Sequence, residues 1–498
     1  MSTDPIAADL GQAAQSDPDK PALIAADRSV SYAELDNLVE RCAAGLQEHG
    51  VEPGDRVGIV LPNDVDAVVA IEGALRAGAA IMPMHPSVKQ ERLADVLKRA
   101  EAAAVICDEG HAETVRRGAA GAGDVPVYAD VEELSADGPA QAPVLADGDL
   151  AALMHTSGST GGPKGVMLTQ RNLSFVTGSI VEYMDMTEAD RILCVLPLSF
   201  GYGLSQLLSC MRAGATLVLE GGVALPGRIV QLLDRHEITG LPGVPTVFGV
   251  LLTLKGLSKR EFPHLRYLTN AGAGLPTPTV AAVREAFPDA GLYLMYGQTE
   301  CVRVCSLQPG DVDEHPDSSG VPIPGTEAWI EDDEGNELGP GETGELIVRG
   351  EHVMQGYWQN PGATAERLRE GRHPEERVMA TNDLFRRDED GFLYFVSRRD
   401  DIIKSRGEKV PPREVEEVLY GHPGVKEAAV VGVPDRLLGE AVHAHVSPRE
   451  GEELDQATLK RLCAEHLEDY MVPQQVIVHD DLPRNTNGKI DRLLLTKG

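Results

Sequence analysis

The chain has 498 residues and a formal net charge of −33, with 42% apolar and 25% charged residues. This balance excludes a largely disordered chain. The acidic excess argues against general nucleic-acid binding or adhesion to an anionic membrane, since both need a cationic field. An anionic substrate must therefore meet a local positive pocket.

The length points to about three units of ~150 residues. Aromatic residues are only 4% of the chain, so the core must be mainly aliphatic. The seven cysteines, at 42, 107, 194, 210, 301, 305 and 463, are odd in number and scattered. That pattern fits a reducing cytoplasm better than a disulfide framework. Cys301 and Cys305 have no second Cys/His pair at zinc spacing. The N-terminus has neither the basic nor the apolar segment of a secretory signal, and no apolar run reaches the ~18 residues of a transmembrane segment.

In chain order, residues 56–61 predict a buried strand, 66–77 a helix ending at Gly78, and 80–83 a strand. Residues 93–102 predict a helix and 104–107 a strand. This alternation implies parallel sheet with crossover helices, and further strands are expected at 191–196, 216–219 and 266–270. Residues 134–148, small, polar and Pro-rich, read as a surface connection. From about 326 the texture changes to short strands, at 328–330, 345–349 and 392–396, with turn signals at 333–335 and 388–391. A smaller α+β piece follows, with helices at 415–419 and 459–466 and strands at 425–433 and 475–479. The main boundary is expected at 397–401.

Residues 156–165 read Thr-Ser-Gly-Ser-Thr-Gly-Gly-Pro-Lys-Gly, between apolar runs at 150–154 and 166–168. A Gly-rich loop brings successive backbone N–H groups onto a polyphosphate, hydroxyls add donors, and Lys164 supplies a point charge. It is not a Walker loop: Pro163 stands where that motif needs Gly, and Gly165 where it needs Ser or Thr.

Six segments in register carry a resemblance. They are this loop; Tyr296-Gly297-Gln298-Thr299-Glu300; Gly344-Glu345-Leu346 through Gly356-Tyr357-Trp358; Thr381-Asn382-Asp383-Leu384; Arg398-Arg399-Asp400-Asp401 with Arg406-Gly407-Glu408-Lys409-Val410; and Asn487-Gly488-Lys489-Ile490. Together they resemble the acyl-adenylate-forming superfamily of acyl-CoA synthetases, nonribosomal adenylation domains and luciferases, and most of all a free-standing AMP-forming acyl ligase. The resemblance implies an α/β fold. A large N-terminal domain, 1–397, would hold parallel-type sheets with crossover helices plus a β-rich subdomain. A hinge at 398–401 would lead to a small mobile α+β lid, 402–498.

The implied reaction joins a small-molecule carboxylic acid to ATP, releases pyrophosphate, and passes the acyl group to a thiol. Two anions must meet, so catalysis is mostly positioning and charge stabilisation. For ATP and AMP, the expected contacts are Thr156, Ser157, Gly158, Ser159, Thr160, Gly161 and Lys164 on the phosphates. Thr299 faces the α-phosphate, Asp383 the ribose with Arg398 beside it, and Gly272, Ala273, Tyr296 and Gly297 the adenine. Glu300 is the expected Mg2+ ligand, since that cation prefers one or two carboxylates plus phosphate oxygens. Lys489 is the adenylation lysine by resemblance; Thr156, Lys164 and Glu300 complete the catalytic set.

The acid pocket is expected at Phe200, Gly201, Ser205, Gly272, Gly297 and Val302. Gly201 stands where amino-acid-activating domains usually carry Asp, which favours an acid without an ammonium group. Arg406 and Gly407 are the expected thiol tunnel and Asp400 the hinge pivot, because Lys489 and Gly407 lie on one small domain yet serve different steps.

The acceptor thiol is CoA or a carrier-protein phosphopantetheine, so loading of an acyl or peptidyl carrier protein in nonribosomal peptide or polyketide biosynthesis stands as the alternative. A luciferase-like oxygenase on the same fold is another. A catalytically silent nucleotide-binding regulator is a further reading, opposed by the presence of Lys489, Glu300 and Asp383. Three departures from the family pattern stand out: His155 for an aromatic, Asn382 for Gly, and Ser397 for Gly.

Overall fold

The computed structural model describes residues 5–26, 28–156, 164–221, 225–373, 376–484 and 489–496. Among these, the strands form sheets of nine, seven, five and five.

In the seven-stranded sheet, Arg56–Val60 pairs in parallel with Ala80–Pro83 on one side and Ala104–Cys107 on the other. Ala80–Pro83 and Ala104–Cys107 are buried at every position, as strands covered on both faces must be. The helix between the first two, Val65–Arg76, is capped by the Asp64 carboxylate, which accepts from the Val65 N–H. It ends before Gly78, whose φ of 81° only glycine adopts easily. The nine-stranded sheet repeats the plan: Arg191–Cys194, Thr216–Leu219, Gly240–Gly243, Tyr267–Asn270 and Gly291–Tyr296 run parallel. One aliphatic core joins the two sheets.

The β-rich unit is antiparallel, built on Glu327–Glu331, Thr343–Arg349, Arg377–Arg387 and Leu393–Arg398. Beyond it lies the fourth sheet, with Val425–Asp435 and Gly439–Pro448 as its long hairpin and Gln475–Val478 parallel to the second of these. Helices Pro412–Tyr420 and Gln456–His466 contribute Val415, Leu419, Leu459 and Cys463 to its own core.

Several strands were not expected, Gly240–Gly243 and Gly291–Tyr296 among them, and the two longest are instructive. Arg377–Arg387 contains Thr381-Asn382-Asp383, a turn-like run on composition. Asn382 takes φ 59° inside the strand, a left-handed position that Asn tolerates better than most residues, and the pairing register shifts on both flanks. Gly439–Pro448 is defined by pairing along nearly its whole length with Val425–Asp435. Residues 135–148 form no helix or strand, and Val144 is fully exposed.

Candidate active site

The site forms where strand ends of the seven- and nine-stranded sheets, the β-rich unit and the last sheet's unit meet. Thr156 ends strand Leu150–Thr156 and lies in register opposite Lys164, which opens Lys164–Thr169. Ser157, Gly158, Ser159, Thr160 and Gly161, the core of the expected phosphate loop, lie outside the described residues. Their two flanks are held side by side by the hairpin. Lys164 Nζ stands 5.1 Å from the Tyr357 ring centroid, and the Tyr357 hydroxyl donates to Glu300 Oε1 at 2.8 Å. Lys164 and Glu300, the expected phosphate lysine and magnesium ligand, therefore share one tyrosine. Only Oε1 of Glu300 is engaged by Tyr357, and Thr299 and Glu300 are half-buried. A hard oxygen donor with an oxygen to spare suits magnesium.

Gly272 takes φ 85° just past strand Tyr267–Asn270, and the Asn270 amide ties the turn by donating to Ala273 O at 2.8 Å. A Cβ on Gly297 would lie 2.2 Å from Val302 O, so only glycine lets these segments cross. Val302 itself holds φ 56°, a strained conformation for a β-branched residue and the kind of strain found at functional sites.

Asp383 is 3% exposed. Its Oδ2 accepts from Tyr296 Oη at 2.6 Å and Gln298 Nε2 at 2.7 Å. Its Oδ1 lies 3.6 Å from Arg398 Nε, leaving an acceptor for a sugar hydroxyl. Burial pushes the Asp383 carboxyl above its ordinary range, opposed by Arg398 and by its two donors. Tyr296 is half-buried and braced edge-on against Phe385, 4.7 Å between centroids.

Lys489 enters this space from the last sheet's unit. A Cβ on Gly272 would be 3.6 Å from Lys489 Cε and 3.8 Å from Nζ, and Nζ lies 5.7 Å from the Phe200 ring centroid. Its pKa falls to about 8, through burial first and Arg398 second, with Asp383 pulling the other way. Phe200 precedes helix Gly201–Ala213. Gly201 is half-buried and faces open space, whereas the buried Ser205 turns its hydroxyl back to Tyr202 O at 2.8 Å.

Gly407 and Arg406 are away from this cluster's contacts. They form the exposed tip of the hairpin Ile403–Ser405 and Glu408–Val410, with φ 85° and 56°, and a Cβ on Gly407 would meet nothing within 4 Å. Asp400 lies in the 3-10 turn Arg399–Asp401, and its Oδ2 accepts from Asn382 Nδ2 at 2.9 Å. Ser397 is buried, with its hydroxyl on Arg398 O. His155 is half-buried, and burial holds its imidazole down at about 4, so it stays neutral.

Five participants carried no signal that sequence reading used. Gln298 sits inside the Tyr-Gly-Gln-Thr-Glu motif, where its place next to Tyr296 could have flagged it. Tyr357 likewise lies in a quoted motif. Arg413, whose guanidinium comes within 3.5 Å of a Cβ on Gly274 and donates to Phe395 O, is remote in sequence. So is Arg484, which donates to Thr246 Oγ1 at 3.0 Å. The fifth, Arg303, is buried behind Gly297.

The chain is also similar to known proteins. The family described as "AMP-binding enzyme" matches residues 10–358, and "AMP-binding enzyme C-terminal domain" matches 414–489. The chain is 33% identical over 520 residues to a long-chain-fatty-acid–CoA ligase of Salmonella typhimurium, covering 95% of this chain and 91% of that one. It is 35% identical over 466 residues to a feruloyl-CoA synthase of Amycolatopsis sp., covering 93% and 92%. The o-succinylbenzoate coenzyme A synthetase of Bacillus subtilis, solved with ATP and a magnesium ion, superimposes with TM-score 0.85 at 31% identity, covering 98% of each chain.

Proposed function

The chain belongs to the AMP-binding enzyme family and is an AMP-forming acid–CoA ligase; from that premise we propose that Lys489, Asp383, Glu300 and Lys164 run its adenylation step. The observation that carries this reading is Lys489 Nζ beside Gly272 and Phe200, between the expected nucleotide turn and the mouth of the acid pocket.

A carboxylate is a poor acyl donor because its oxygens share the charge. Its attack on the α-phosphate of ATP makes a mixed anhydride and expels pyrophosphate. The Lys489 ammonium bridges attacking carboxylate and α-phosphate, offsetting charge that builds as they approach. Asp383 Oδ1 takes the ribose hydroxyls, and Tyr296 and Gln298 fix its rotamer. Lys164 and the loop hydroxyls hold the β- and γ-phosphates. Glu300 would hold magnesium, which supplies charge neutralisation on the phosphate oxygens. Phe200, Gly201 and Val302 shape the acid pocket.

The second step, attack of the CoA thiol on the acyl-adenylate, uses another arrangement. Residues 1–397 form the adenylating body, 398–401 the hinge with Asp400 as pivot, and 402–498 the lid. Support comes from the opposite placements of two lid residues: Lys489 is inside, while Gly407 stands at an exposed tip with no side chain to block a pantetheine arm. We also place the protein in the cytoplasm, because its seven cysteines are buried free thiols. No described helix is long and apolar enough to cross a membrane.

The test is acid-dependent pyrophosphate and AMP release with ATP and magnesium across aryl, alkyl and amino acids. The best acid is then offered with CoA and with a holo carrier protein. AMP, pyrophosphate and acyl-CoA are expected. ADP with orthophosphate overturns the adenylation step, and transfer to the carrier alone overturns the acceptor.

A further inference from the structure

The acid pocket backs onto a charge that acid activation does not use. Arg303 is 2% exposed. Its Nη1 donates to Tyr183 Oη at 3.4 Å and touches Met295 Sδ, its guanidinium carbon lies 5.4 Å from the Tyr202 ring centroid, and its Nε is buried with no acceptor. No carboxylate pairs with it among the described residues. Tyr183 spends its own hydroxyl proton on Met295 Sδ. The contrast is Arg349, the other buried arginine among the described residues, which pairs with both Glu327 and Glu376.

A buried cation is normally matched by a counter-charge, because desolvating it alone is costly. Phenol, thioether and an aromatic face offset part of a guanidinium's charge but supply no counter-ion. Its location indicates what is missing. Arg303 directly follows the strained Val302, and its Cα lies 2.9 Å from where a Gly297 Cβ would be. Tyr202, on which it rests, lies in the first turn of helix Gly201–Ala213, just past Phe200. The Tyr202 hydroxyl reaches Thr269 O at 3.1 Å, close before Gly272. Arg303 thus follows Val302 and abuts Gly297 through its backbone, while its guanidinium rests on Tyr202 of the helix that begins just past Phe200.

We propose that Arg303 is a specificity-determining residue for a second carboxylate on the substrate, so that the acid this enzyme activates is a dicarboxylic acid. One carboxylate meets Lys489 and is adenylated; the distal one supplies the counter-charge that Arg303 lacks. The proposal rests on the acid–CoA ligase reading and deepens it. A plain alkyl acid leaves the guanidinium unpaired, which is the kind of buried mismatch that lets a polar site reject an apolar analogue strongly.

The experiment measures pyrophosphate release by the full-length enzyme with matched acids: succinate, glutarate and adipate against butyrate, pentanoate and hexanoate. At least one dicarboxylate is expected to exceed its partner by ~10²-fold or more in kcat/KM. Arg303→Met should erase that ratio, and Arg303→Lys should keep part of it. As a readout independent of turnover, the preferred dicarboxylate alone should raise the thermal midpoint of the wild type and not of Arg303→Met, with its monocarboxylate partner raising neither. Monocarboxylates that match or exceed their partners overturn the proposal and leave the ligase reading standing. So does a ratio unchanged by Arg303→Met. Formation of ADP, or an absence of pyrophosphate with every acid, brings down the ligase reading and this proposal with it.

Discussion

Lys489 Nζ stands 5.7 Å from the centroid of the Phe200 ring, so a residue near the C-terminus completes a pocket begun at the foot of a helix in the first half of the chain. Arg413 at Gly274 and Arg484 on Thr246 support the same docking. The arrangement is one suited to adenylation, the step for which Lys489 is proposed.

Lys489→Ala is expected to slow acid-dependent pyrophosphate release by at least ~10²–10³, by analogy with a lost oxyanion donor. CoA-dependent consumption of supplied acyl-adenylate should change by no more than a few-fold. Equal loss of both steps contradicts the alternating-lid reading.

The acid-activation step should lose kcat/KM as pH rises through about 8, the value to which burial and Arg398 lower the Lys489 ammonium. The sign follows from the active form being protonated: below about 8 the charge is present, above it the charge is lost. Because kcat/KM reports the free enzyme, the basic limb belongs to unliganded protein. Lys489→Arg, always charged, should be slower but lack that limb in a pH profile of pyrophosphate release.

Gly407→Leu should spare pyrophosphate release and abolish acyl-CoA formation. At φ 85° and an exposed tip, leucine is strained and places bulk where the thiol arm must pass. Loss of both half-reactions, measured separately, would assign Gly407 to folding.

Tyr296→Phe removes one of two donors that hold Asp383 Oδ2. A hydrogen bond to a charged group contributes about 1.5–3 kcal/mol, so KM for ATP should rise ~10-fold or more, with little change in KM for the acid. A rise confined to the acid would place Tyr296 in the wrong subsite.

Asn382→Gly keeps a residue comfortable at φ 59° and deletes the bond to Asp400 Oδ2. The hinge loses a tie of about 1 kcal/mol to the adenylating body. Adenylation should fall ~5-fold while thioester formation from supplied acyl-adenylate holds or rises; steady-state kinetics of the two half-reactions decide.

The amino-acid order by itself determined the class of the protein. Runs such as 104–107, and 56–61 after its opening Arg56, carry no polar side chain, so burial on both faces was legible, and with it the parallel plan. The Thr-Ser-Gly loop, Tyr296-to-Glu300, Thr381-to-Asp383 and Lys489 were legible because each concentrates its chemistry within a few neighbouring residues.

Only the tertiary structure decided which of these residues meet and which charges stay unmatched. Strand Arg377–Arg387 was hidden because its turn-forming centre is a bulge that exists only once both neighbours pair with it. Tyr357 on Glu300, Arg413 at Gly274 and the isolation of Arg303 depend on segments far apart in the chain. Local periodicity carries no information about such pairings, since a buried cation and a solvated one are written with the same letter and differ only in what the fold packs around them.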